Sequence, residues 1–159
     1  MKEYTIQSTV RVYNWDELAP EDQALLQAAK DATQGSYAPY SCFCVGAAVR
    51  LKNGTTVIGS NQENMAFPSG LCAERTALFA ANAQYPSQPV LSLAIAARNK
   101  DGFLSCPITP CGACRQVISG IEQRYNQPIR ILLYGTDGTH VVDSIDALLP
   151  LKFADSYLR

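Results

Sequence analysis

The chain has 159 residues, of which 47 % are hydrophobic, the proportion of an ordinary globular domain built on one core. Its formal charge of −1, with no cluster of Lys or Arg, excludes the basic channel that a polynucleotide demands and points to a small-molecule substrate. No apolar run reaches the roughly 20 residues of a membrane span, and residues 1–10 lack the apolar stretch of a secretory signal, so the expected setting is the cytoplasm with reduced cysteines.

In chain order, residues 5–13 alternate loosely through Ile6, Ser8, Val10 and Val12, which predicts a short strand. Residues 1–20 stand as an N-terminal extension of one domain covering residues 1–159. Pro20-Glu21-Asp22-Gln23 opens a helix, since proline suits the first helical position and acids suit the first turn. Leu25, Leu26, Ala29 and Ala32 form its apolar stripe, and Gly35 ends it. A loop over residues 36–41 leads into a strand at 45–51, and Asn53-Gly54 signals a hairpin returning at 55–59.

Residues 61–71, polar and broken by Pro68 and Gly70, are expected to be a loop, and residues 72–83 a helix. The nearly all-apolar run 90–97 predicts a buried central strand. A helix follows over residues 111–125 with Val117, Ile118 and Ile121 inward, then a buried strand at 129–134. Asp137-Gly138 turns the chain into a short strand at Val141-Val142, and a helical turn over residues 145–149 stops at Pro150. This alternation implies an α/β sandwich around a mixed sheet.

Of the six cysteines, Cys111 and Cys114 have ligand spacing, and Cys72 joins them as a third ligand through motif resemblance. Cys111 and Cys114, three apart, share one helix face; Cys72, just outside its helix, is free to turn toward the same centre as Glu74. Three protein ligands leave a fourth tetrahedral position open, the arrangement of a catalytic rather than a structural Zn²⁺. Three thiolates leave such a centre net negative, which opposes deprotonation of water, so charge must be drawn from the sulfurs. Two helix N-termini do this, and Arg75 is a candidate donor to a ligand sulfur. Cys42, Cys44 and Cys106 are expected to be buried small hydrophobes. His140, the only histidine, is expected to be surface or satisfied structure rather than a ligand.

Cys72-Ala73-Glu74-Arg75 with Pro110-Cys111-Gly112-Ala113-Cys114-Arg115-Gln116 resembles the zinc signature of nucleobase and nucleoside deaminases, in particular the small cytidine deaminases. The resemblance extends to Ser36-Tyr37-Ala38-Pro39-Tyr40-Ser41-Cys42-Phe43-Cys44-Val45-Gly46-Ala47-Ala48, to Gly59-Ser60-Asn61-Gln62-Glu63-Asn64 and to Leu148-Leu149-Pro150-Leu151-Lys152-Phe153. It covers roughly residues 23–153 and leaves the first twenty or so unaccounted for.

The resemblance implies a three-layer α-β-α sandwich around a mixed five-stranded sheet, one Zn²⁺ per chain, and deamination of cytidine and 2′-deoxycytidine in pyrimidine salvage. It further implies a homotetramer with shared active sites. On the same analogy Glu74 shuttles protons to ring N3 and to the departing amine, and Asn61 and Glu63 hydrogen-bond the ribose hydroxyls. Phe43 and Phe153 would flank the base, Phe153 from a neighbouring subunit. Phe67 departs from the family's frequent Tyr, which puts one ribose contact in doubt, and Thr109 stands where Ser is common.

Two other enzyme readings are a blasticidin S-type deaminase, which shares the metal elements, and a polynucleotide deaminase. The second commonly has His in place of Cys72 and would need the missing basic surface. The non-enzymatic alternative is a structural zinc or deaminase-like binding protein, which has no use for an unligated Glu74.

Overall fold

Helix α1 (Pro20–Ala32) begins with Pro20 in its first turn, and Leu25, Leu26, Ala29 and Ala32 are all buried, as the stripe predicts. The computed structural model describes residues 1–154; the last five residues of the expected 1–159 domain lie outside the described residues. The other elements are β1 (Arg11–Tyr13), β2 (Cys44–Leu51), β3 (Thr56–Ser60), α2 (Ala73–Gln84), β4 (Val90–Asn99), β5 (Gly102–Phe103), α3 (Gly112–Tyr125), β6 (Arg130–Leu133) and β7 (Thr139–Val142). Short 3₁₀ turns at Trp15–Glu17, Thr33–Gly35, Phe67–Ser69 and Ile145–Ala147 join them.

The sheet runs β1-β7-β6-β4-β2-β3, with β5 pairing β4. Among the described residues only the β4–β6 pair is parallel, as its crossover through α3 requires. Among the same residues the sheet has seven strands rather than five. The added strands are short. β5 is a two-residue return on the end of β4. β1 is shorter than the expected 5–13 strand because β7, its only partner among the described residues, runs out at Val142.

Side chains alternate across each strand, and this splits the core in two. Ala47, Val49, Leu93, Ile95, Ile131 and Leu133 pack with α2 and α3 residues such as Leu78 and Ile118. Ala48, Ala94, Ala96, Leu132 and Val141 pack with Leu25, Leu26 and Ala29 of α1. That is the three-layer α-β-α arrangement. Burying one Leu of this kind contributes about 1.5–3 kcal/mol relative to leaving it exposed.

Two glycines set how closely the helices sit. A Cβ on Gly46 would lie 2.1 Å from the Ala29 carbonyl oxygen, and one on Gly59 2.4 Å from the Ala77 nitrogen. The Gly59 contact draws α2 onto β3. At the Asn53-Gly54 hairpin Gly54 takes φ +86°, which glycine alone adopts at no steric cost.

Two polar devices tie the layers at their ends. Glu122 of α3 is buried, and its Oε1 accepts from the backbone nitrogens of Ile129 (2.8 Å) and Ile145 (3.1 Å) while Oε2 accepts from Ser144 Oγ (3.1 Å). Near the end of α1, Lys30 Nζ lies 4.7, 5.4 and 5.5 Å from the ring centres of Tyr134, Phe103 and Trp15. This cation–π contact fastens the 3₁₀ turn at Trp15 to the sheet.

Candidate active site

Both α2 and α3 begin at the same place, and each is preceded by a cysteine in extended conformation. Cys72 caps α2 with φ −72°, ψ 153° and Cys111 caps α3 with φ −65°, ψ 168°. Neither side chain caps the backbone of its own helix, so both sulfurs remain available to a metal. Cys111 thus stands just outside the helix, which begins one position later than the expected 111–125 helix, and Cys114 sits buried in the first turn.

Cys72 and Cys111 Sγ are 3.8 Å apart, and all three sulfurs lie within 4.8 Å of one another. A tetrahedral Zn²⁺ with Zn–S bonds of about 2.3 Å has sulfur–sulfur edges of about 3.8 Å. The cluster therefore fits zinc in donor type and spacing.

The electrostatics favour a deprotonated Cys72. Its thiol is lowered to about 5 by hydrogen bonding from Cys114 and then from Arg75 and Cys111, despite burial. Cys114 is pushed up by that same hydrogen bond with Cys72 and by its burial; a bound metal would displace this proton. Arg75 Nη2 donates to Cys72 Sγ at 3.7 Å, the contact expected of it. Glu74 is buried, and its pKa is raised mainly by desolvation and further by the Cys72 charge.

Cys72, Cys111 and Glu74 line a cavity of about 720 Å³ whose walls also include Phe43, Asn61, Glu63, Phe67 and Thr109, with Cys114 buried behind them. Asn61 is already at work on the backbone: Oδ1 accepts from Val45 N at 2.8 Å and Nδ2 donates to Phe43 O at 2.9 Å. Glu63 accepts from the Tyr40 nitrogen (2.9 Å), the Ser41 nitrogen (3.3 Å) and the Ser41 hydroxyl. These bonds hold its carboxylate below the usual range, the Ser41 hydroxyl contributing most. Phe67 stands at the rim, 75 % exposed, with its ring edge-on to Tyr40 at 5.8 Å. Phe153 is not among the residues lining this cavity; its carbonyl accepts from Gln116 Nε2 at 2.8 Å.

Several residues escape the sequence reading. Ser41 Oγ donates to Glu63 and accepts from Phe43 N at 3.1 Å, so one hydroxyl fixes two cavity walls. Arg115 donates to Pro110 O (2.9 Å), Leu148 O (2.6 Å) and Thr109 Oγ1 (3.0 Å), tying the metal loop to the C-terminal segment. A signal for it exists: cations are unfavourable at a helix start, so an Arg there points to a partner worth more than the dipole. The remaining cysteines are a correction. Cys42 and Cys106 are exposed and Cys44 is half-buried, because Cys42 occupies a left-handed turn (φ 55°) ahead of β2 and Cys106 a loop after β5. His140 lies within β7 and is outside the metal cluster.

A three-layer sandwich with two helix N-termini converging on three thiols presents a donor set of the kind that holds a zinc ion. Residues 19–125 match the family model described as the cytidine and deoxycytidylate deaminase zinc-binding region. The chain is 36 % identical over 132 residues to a cytidine deaminase of Sporosarcina psychrophila, covering 83 % of this chain and 90 % of that one. It is 43 % identical over 97 residues to a cytidine deaminase of Halalkalibacterium halodurans, covering 61 % and 69 %. The crystal structure of cytidine deaminase from Burkholderia pseudomallei superposes with a TM-score of 0.69 at 38 % identity, covering 82 % of this chain and 97 % of that one. The chain belongs to the cytidine and deoxycytidylate deaminase family. Among the described residues no helix is long and apolar enough to cross a membrane.

Proposed function

We propose that this chain hydrolyses cytidine and 2′-deoxycytidine to uridine and 2′-deoxyuridine with release of ammonia, a step of pyrimidine salvage. The observation that carries the reading is a cluster of three metal-spaced sulfurs, two of which, Cys72 and Cys111, line one cavity together with the buried Glu74. One zinc ion per chain would be held by Cys72, Cys111 and Cys114. When bound, zinc supplies the Lewis acidity that makes water nucleophilic near neutral pH.

The chain's own residues do the rest. Glu74 takes the proton of the attacking water, delivers it to ring N3, and later passes the second proton to the departing amine. Its burial raises its pKa, which suits a group that must hold a proton between steps. Arg75 draws charge from Cys72 and so lessens the negative charge around the metal.

Phe43 packs on the base, held by the bonds of Asn61 and Ser41 to its backbone. Asn61 keeps one amide hydrogen free for a sugar hydroxyl, and Glu63 keeps lone pairs. Phe67 offers no hydroxyl to the ribose. Phe153, exposed and away from this cavity, would reach the site of a neighbouring subunit in a homotetramer. The reading is of one domain, acting on free nucleosides without nucleic acid or membrane, in the cytoplasm, where its free cysteines stay reduced.

The test is to incubate zinc-quantified protein with cytidine, deoxycytidine and blasticidin S and follow product formation. Turnover of both nucleosides at one zinc per chain is expected. Turnover of blasticidin S alone, or zinc binding with no turnover of any, would refute the assignment.

A further inference from the structure

Ahead of β1, residues 1–10 belong to no strand or helix of the chain, yet their sequence continues the alternation of a strand into β1. Tyr4, Ile6, Val10 and Val12, on even positions interrupted by Ser8, are 77 %, 45 %, 47 % and 61 % exposed. The intervening positions, Glu3, Thr5, Gln7, Thr9 and Arg11, are polar. A period of two with one apolar face is the pattern of a strand that packs on something. Among the described residues that face is covered only in part, Val12 lying against Gly138.

The sheet explains why. β1 is an end strand and pairs β7 with Arg11 opposite Val141 and Tyr13 opposite Thr139. Continuing that register sets Val10 opposite Val142, where β7 ends. Residues 1–9 therefore overhang the sheet, and β1 offers its other edge unpaired. The stretch also lies outside the family match, which starts at residue 19.

What would cover it can be read from the strand itself. For two copies paired antiparallel, opposite side chains fall on the same face. Only registers in which the paired numbers sum to an even value keep the apolar faces together. Among the registers centred on Ile6, Gln7 or Ser8, the one on Gln7 alone sets Glu3 opposite Arg11. It also sets Tyr4 opposite Val10 and Thr5 opposite Thr9, an aromatic–β-branched pair and a Thr–Thr pair, both favourable across strands. Arg11 binds Asp143 through Nη1 at 2.6 Å, and its guanidinium has further N–H donors for a partner's Glu3.

We propose that residues 2–12 are an interface strand that pairs with the same segment of a second copy of this chain, about a two-fold axis at Gln7. The sheets of the two copies are thereby joined through their β1 edges, an isologous contact by strand addition. The pairing is independent of the reaction, since none of these residues lines the cavity.

The test uses the full zinc-loaded chain. In sedimentation equilibrium at micromolar concentration, the variant Ile6→Asp/Val10→Asp is expected to have half the assembly mass of the wild type, with its zinc content and nucleoside turnover unchanged. In a second arm, Gln7→Cys places a thiol on the axis in each copy. Mild oxidation is expected to join those two thiols in a disulfide between copies, identified by mass spectrometry of the linked N-terminal peptides. Ser8→Cys, opposite Ile6, serves as its control. An unchanged assembly mass overturns the proposal, and so does a Gln7→Cys chain that cross-links no faster than Ser8→Cys.

Discussion

Replacing Glu122 with alanine would strand two buried backbone donors at once. Its Oε1 is the acceptor for Ile129 N and Ile145 N, and both isoleucines are at most 1 % exposed. A buried donor left without a partner costs about 1–3 kcal/mol; with some relaxation, about 3 kcal/mol in total is expected for Glu122→Ala. Glu122→Gln keeps an oxygen at the Oε1 position and turns its NH₂ toward Ser144 Oγ, which can accept, so only the charge assistance is lost, about 1 kcal/mol. Against a total stability of about 5–15 kcal/mol and a urea slope of about 1–3 kcal/mol per molar, the alanine variant should unfold roughly 1–3 M earlier. Urea titration at fixed free zinc and under reducing conditions reads this out through the fluorescence of Trp15, the only tryptophan. Zinc content and turnover at low temperature should be unchanged. An alanine variant within 0.5 kcal/mol of wild type, or a glutamine variant as weak as alanine, would refute the reasoning.

Glu74→Gln should bind zinc normally and lose at least about 10²–10⁴-fold in kcat, the share typical of a proton-transfer group; a variant with near-wild-type kcat would remove Glu74 from the mechanism. Arg75→Gln should lower activity and shift the pH–rate profile, since the Cys72 thiolate loses its 3.7 Å donor; an unaltered profile would count against charge tuning. In metal-stripped protein, Cys72 should alkylate with a half-maximal rate near pH 5 rather than near 9.0, because its thiolate predominates above the lowered pKa of about 5. Mapping the modified peptide checks this, and added zinc should protect it. Ser41→Ala should raise KM with kcat nearly unchanged, because it loosens Phe43 and Glu63 together, and Ser41→Thr should restore KM; a fall in kcat alone would show that Ser41 acts elsewhere.

What the sequence discloses is mostly local. The start of α1 follows from Pro20 and the β2–β3 hairpin from Asn53-Gly54, because each signal lies within a few residues of its effect; α1 itself ends at Ala32, and Gly35 closes the 3₁₀ turn that succeeds it. The metal cluster is legible for the same reason on the α3 side, where Cys111 and Cys114 are one helical turn apart; Cys72 enters through motif resemblance, since nothing local brings two helix starts together. The features that escape all depend on distant partners. Ser41 meets Glu63 22 residues away and Arg115 meets Leu148 33 residues away. Glu122 looks like an ordinary polar position until Ile145, 23 residues on, arrives above it. The length of β1 is set by where β7 stops, which its own alternation cannot encode. Cys42 is expected inside because cysteine is usually buried, and a left-handed backbone at that position has no composition signal.

The three rings around Lys30 bear on more than the end of α1. Trp15 is two residues beyond β1, and its ring is fixed against Lys30 and, edge-on at 6.4 Å, against Tyr134. A tail attached to a mobile turn would explore a wide volume, and association would have to remove that freedom as well as the freedom of the tail itself. Here the turn is immobilised inside each folded chain before any encounter. The strand leaves the body at a fixed origin and heading, so the search left to association is confined to residues 1–10. Loosening the clamp, for example with Lys30→Met, would therefore weaken assembly from a position that touches no partner.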